Sequence, residues 1–151
     1  MTKPQRFDVP TVAPAAYQAM RGLHAAVHDS GLAPVLLELV NIRVSQINGC
    51  AFCLAMHVAL ARRHGLTDDR LHLLATWRDA PVFDARERAA LAWAEAVSLL
   101  PGGEVSDAAY DEARRQFTEQ EVAHLTFAAV EINGWNRLMI ASRTPPKDLV
   151  P

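Results

Sequence analysis

The sequence predicts an all-α protein, a bundle of about six to seven helices, and three observations carry that prediction. No stretch alternates apolar and polar residues over a run rich in β-branched side chains, as a half-buried strand would. Proline, glycine and capping residues instead cut the chain at intervals that suit helices. Half of the 151 residues are apolar, enough to bury a core, so the chain is read as a single domain over 1–151.

The elements follow in order. After an irregular start, residues 14–29 carry helix formers and stop before Ser30-Gly31. Pro34 suits the first turn of a second helix, which runs to Asn48-Gly49. A third, from about Cys50 to His64, is closed by Gly65 at the position after its C-cap. Thr67 is placed to cap a short fourth helix over TDDRLHLLATW, and Asp79-Ala80-Pro81 breaks the chain. Asp84 with Glu87, Ser106, and Thr118 with Glu121 open helices five to seven, the first and last of these with capping-box spacing. The final helix, about 119–142, repeats Leu125, Ala128, Ala129, Ile132, Leu138 and Met139 at helical spacing, which suits a core and a subunit interface. Gln46-Ile47-Asn48-Gly49-Cys50 is echoed by Glu131-Ile132-Asn133-Gly134-Trp135, suggesting two related helical hairpins.

Composition excludes several classes of function. The net charge is -2 and the basic residues are scattered, so the chain lacks the footprint that nucleic-acid or membrane-surface binding requires. Its opening residues carry no apolar signal core, and no later stretch reaches the roughly 18 uninterrupted apolar residues of a membrane span. The expectation is a cytoplasmic protein with no nucleic-acid or membrane partner.

The two cysteines, Cys50 and Cys53, lie three positions apart. A stabilising bridge is a poor explanation, because the loop it closes is tiny and the expected compartment is reducing. On a helix the pair stands one turn apart, and His57 follows Cys53 at i+4. A helix start just after Gly49 places both sulfurs where unpaired N–H groups favour a thiolate, and all three side chains are expected to face one cleft. His57 is better placed to activate Cys53 than Cys50. Attack by Cys53 on a peroxide would leave a sulfenic acid that Cys50 resolves into a disulfide. An antiparallel packing of the second and third helices would bring Glu38 back toward His57, directly or through a water.

The run Glu38, eleven residues, Cys50-Ala51-Phe52-Cys53, three residues, His57 resembles the core signature of the alkylhydroperoxidase D-like branch of the carboxymuconolactone decarboxylase family. Ser45-Gln46-Ile47-Asn48-Gly49 and Trp135-Asn136-Arg137 are similar too, and the likeness spans roughly residues 30–142. It implies an all-α protein assembled as a homo-oligomer, a trimer or hexamer, that reduces hydroperoxides without a bound cofactor. It also implies Cys53 as peroxidatic cysteine, Cys50 as its proton donor and disulfide partner, and His57 with Glu38 as relay. An external dithiol or redox protein would reset the site. Phe52 departs from the pattern, since the best-characterised members carry a histidine there.

Other readings stay open on the residues alone. The pair could serve a disulfide reductase or redox adaptor, or be two inert core thiols in an interaction protein. The same cysteines and His57 could hold zinc, with Glu38 or His64 as fourth ligand, although zinc sites usually draw on two separated knuckles. His24 and His28, spaced i, i+4, are assigned to an exposed helical face, and the tryptophans Trp77, Trp93 and Trp135 to core or interface packing.

Overall fold

A computed structural model describes residues 3–147 and contains eight α-helices: α1 (Val9–Val12), α2 (Pro14–His28), α3 (Pro34–Asn48), α4 (Ala51–Arg63), α5 (Asp68–Leu73), α6 (Ala85–Leu99), α7 (Asp107–Arg114) and α8 (Glu119–Ser142). The expected all-α architecture is present, and the described residues include no strand. Both capping boxes form: Asp84 accepts the Glu87 amide while the Glu87 side chain bonds back, and Thr118 and Glu121 do the same for α8. Ser106 caps α7 through the Ala109 amide at 3.2 Å.

Several boundaries differ from expectation for local reasons. The supposedly irregular start contains α1, a single turn that opens with Pro10 in its first positions. The chain ahead of it is tied to the end of α8, the Arg6 amide donating to the Ser142 carbonyl at 2.8 Å. Thr67 stands at the N-cap of α5 but its hydroxyl makes no capping bond. That helix stops at Leu73 and tightens into a 3-10 turn over Leu74–Thr76. The last helix agrees with expectation, α8 running from Glu119 to Ser142 through Gly134.

Helix α3 is the centre of the packing. It lies against α4, α6 and α8, and nine of its residues are buried, the pattern of a helix apolar on all sides. Leu36, Leu37, Val40 and Val44 join α8, α6 and α2 in one apolar cluster. Leu39 and Ile42, on the other side, meet Ala61, Leu74, Trp77 and Leu91 in a second. The helix therefore separates two cores and presents its remaining buried polar groups, Glu38, Asn41 and Ser45, to its neighbours. Among the described residues no helix is long and apolar enough to cross a membrane.

Candidate active site

Cys50 and Cys53 sit where one helix stops and the next begins. Gly49 ends α3 at φ 70°, and the Cys50 amide closes back on the Ser45 carbonyl at 3.1 Å. There is open space around this glycine, so what selects it is the left-handed backbone, which a side chain would strain. Cys50 then takes the N-cap position of α4, and its Sγ accepts the Cys53 amide at 3.3 Å, the role a serine or aspartate oxygen plays in other helices. The two sulfurs are joined as a disulfide across a Cα separation of 5.4 Å, within the ordinary range for such a bridge. Both cysteines are buried.

The antiparallel arrangement of α3 and α4 brings Glu38 directly to His57. Nδ1 of His57 donates to Oε2 of Glu38 at 2.8 Å with no intervening water, and the two residues are 3% and 1% exposed. A carboxylate this deep is tolerated because the imidazole satisfies it. The bond also settles the ring orientation, so Nε2 is the nitrogen left for chemistry.

The expectation that the two cysteines and His57 face one cleft needs correction. Cys53 and His57 border a cavity of about 290 Å³ together with Tyr17, His24, Trp135 and Met139. Cys50 borders a different one, about 360 Å³, with Gly49 and Arg143. Phe52 and Met139 line both and divide them. The reason is local: Cys50 is the extended N-cap, at ψ 96°, and so lies off the helical face that carries Cys53 and His57.

A second histidine–carboxylate pair, which the sequence did not reveal, places its histidine, His24, in the wall of the Cys53 cavity. Nδ1 of His24 meets Oε1 of Glu131 at 2.5 Å, and the Trp135 indole N–H donates to the same oxygen at 3.1 Å. Glu131 is 3% exposed. The hydrogen bond to Glu131 holds His24 above the ordinary imidazole value, overcoming the opposing effect of burial. The His28 ring lies against His24, tilted by 47° with centroids 4.2 Å apart, and burial, then the neighbouring His24, pushes it below that value. His24 thus reaches α8 and the cavity from a helical face that still leaves its side chain 41% exposed, and His28 sits half-buried beside it, outside the cavity wall. Glu131 was the available signal: it is the one carboxylate within the apolar stretch 122–142, and a buried carboxylate requires a partner. Tyr17 meets Trp135 edge-on at 5.5 Å and completes the wall. Among the described residues no three His, Cys, Asp or Glu side chains converge as a metal site.

The sequence model of the carboxymuconolactone decarboxylase family matches residues 14–96, which include Glu38, both cysteines and His57. The chain belongs to this family. The uncharacterised protein YdfG of Bacillus subtilis is 35% identical over 137 residues, 91% of this chain and 93% of that one. A protein of unknown function from Agrobacterium tumefaciens, ATU0492, proposed as the antioxidant defence protein AhpD, is 35% identical, with a TM-score of 0.91 over 95% of this chain and 98% of that one. The debrominase Bmp8 shares the fold at 20% identity, with a TM-score of 0.79 over 89% of this chain and 73% of that one. His24 lies within the matched segment and Glu131 beyond it.

Proposed function

We propose that this protein is a thiol-dependent peroxidase that reduces hydrogen peroxide or organic hydroperoxides through Cys53, with Cys50 as resolving thiol and His57–Glu38 as proton relay. One observation carries the reading: Cys53, and not Cys50, shares a cavity with a histidine whose other nitrogen is held by a buried carboxylate. In the reduced protein Nε2 of His57 takes the Cys53 proton, and the first turn of α4 stabilises the thiolate. Attack on the distal peroxide oxygen oxidises the sulfur to a sulfenic acid and releases an alcohol or water. Cys50 then displaces water from it, forming the disulfide. An external dithiol or redox protein restores both thiols, and no bound cofactor takes part. The likeness to ATU0492 agrees with this chemistry.

A second reading uses the same pair for disulfide exchange with a partner protein, and the separate cavity at Cys50 favours it by offering a thiol its own approach. Stopped-flow peroxide reduction by the wild type and by Cys50→Ser and Cys53→Ser, with mass detection of the sulfenic acid, distinguishes the two. The peroxidase reading expects the acid to accumulate on Cys53 in Cys50→Ser and Cys53→Ser to be inert. Oxidation on Cys50 instead reverses the roles. Rapid exchange with disulfides and negligible peroxide turnover would establish the adaptor.

A further inference from the structure

We infer that His24, positioned by Glu131, is the acid that protonates the departing oxygen of an organic hydroperoxide seated in the cavity beside Cys53. The inference rests on the peroxidase reading and adds to it a second catalytic residue. Displacement at a peroxide oxygen is in line: the sulfur approaches one oxygen while the other leaves on the far side. The base that deprotonates Cys53 lies one turn along the same helix and borders the same cavity. The leaving oxygen needs its proton from elsewhere in the cavity.

His24 meets that need from another element. It reaches the cavity from α2, which packs on α8, whereas Cys53 and His57 come from α4. Glu131 occupies its Nδ1, so Nε2 is the nitrogen free to give a proton. Phe52, between the cysteines, has none to give. Apart from His57, already engaged as the base for Cys53, the cavity wall otherwise offers the phenol of Tyr17, the guanidinium of Arg21 and the ammonium of Lys147, groups of a chemical type too weakly acidic for efficient proton donation near neutral pH. The charged surroundings of His24 act on it from three helices: Glu131 of α8 and Glu38 of α3 favour its protonated form, and Arg21 of α2 opposes it.

The apolar part of the wall defines the substrate. Phe52, Met56, Trp135 and Met139 surround a space near the lower limit for small-molecule sites, which suits a compact alkyl or aryl group bearing the hydroperoxide. The balance is complete within the proposal. The Cys53 thiolate forms an S–O bond as the O–O bond breaks; the sulfur is oxidised, the peroxide is reduced, and the His24 proton converts the leaving alkoxide into the alcohol. Cys50–SH and Cys53–SOH then yield the disulfide and water.

The test exploits the leaving group. Cumene hydroperoxide expels a strongly basic alkoxide, whereas 3-chloroperbenzoic acid expels a weakly basic carboxylate that needs no acid. Oxidation of pre-reduced protein is followed with each at one mildly acidic pH. His24→Asn is expected to lower the ratio of the cumene hydroperoxide rate to the peroxy acid rate by about a hundredfold. His72→Asn, on an exposed turn of α5, leaves the ratio at the wild-type value. An unchanged ratio in His24→Asn overturns the inference, whereas a wild type that reduces neither compound overturns the peroxidase reading beneath it. Glu131→Gln retains the ring but removes the charge that keeps it protonated, so the high-pH fall of the cumene hydroperoxide rate moves to lower pH. A fall that does not move removes Glu131 from the proposal. Circular dichroism of both variants confirms that the comparison is made on folded protein.

Discussion

Glu38 and His57 illustrate how a site residue depends on its single partner. Each is almost wholly buried and each satisfies the other at 2.8 Å. Glu38→Gln preserves the shape and a neutral acceptor but removes the charge that stabilises an imidazolium, so Cys53 oxidation by peroxide is expected to slow by about tenfold to a hundredfold. His57→Gln removes the base itself and should slow it by about a hundredfold or more. Glu38→Ala is expected to cost about 1–3 kcal/mol in urea unfolding as well, because it leaves the ring nitrogen without its buried acceptor. Equal rates in Glu38→Gln and wild type would show that the carboxylate only holds the ring. At this scale much of the site is legible in the sequence: CxxC, the i+4 histidine and a carboxylate on the preceding helix are short-range patterns. His24 is not, because its partner lies 107 residues away.

At the scale of elements, buried polar clusters fix how helices meet. The echo between Asn48 and Asn133 becomes a contact: Nδ2 of Asn48 donates to Oδ1 of Asn133 at 2.8 Å and to Oδ1 of Asn136 at 2.9 Å. Asn136 in turn donates to the Ser45 hydroxyl at 3.0 Å. The order of these pairs shows that α3 and α8 run antiparallel, and it anchors the end of α3 that leads into Gly49 and Cys50. On the other core, Glu95 of α6 receives the Trp77 indole at 2.9 Å, Nε of Arg43 at 2.7 Å and Nη1 of Arg78 at 2.5 Å. Burial alone would raise the Glu95 carboxyl, but the three hydrogen bonds together hold it below its ordinary value. A depressed native value stabilises the fold above the ordinary carboxyl value, and that contribution is lost as pH falls through the native one. Glu95→Ala is expected to destabilise by about 3–5 kcal/mol near neutral pH, since Arg43 and Trp77 lose a buried partner. The deficit relative to wild type should shrink on acidification, measured by urea unfolding at several pH values. A deficit that stays constant with pH would show that lost packing, not charge, sets the cost.

For the whole molecule, the outer face of α8 sets an expectation about assembly. Phe127 and Val130 are each more than half exposed, one turn apart on the outer side of the helix. An apolar strip on a long helix suits a second copy of the same chain, in line with the trimer or hexamer implied by the sequence resemblance. Phe127→Glu with Val130→Glu is expected to reduce the assembly to monomers by sedimentation velocity, with unchanged helical content because neither side chain supports the core. A wild type that sediments as a monomer would remove the proposal.

What the sequence by itself determined was the class of the fold, the positions of most helices and the order of the Cys53–His57 segment. Those follow from capping chemistry, glycine stops and 3.6-residue periodicity, all of which act over a few residues. Tertiary structure alone decided that Glu38 touches His57 directly, that Phe52 and Met139 separate the cavities of the two cysteines, and that Glu131 holds His24 beside Cys53. Those contacts join α2, α3 and α8 to α4, and the physical reason is burial: a charged or polar group removed from water takes whichever partner the packing of distant helices supplies, and no local pattern names that partner.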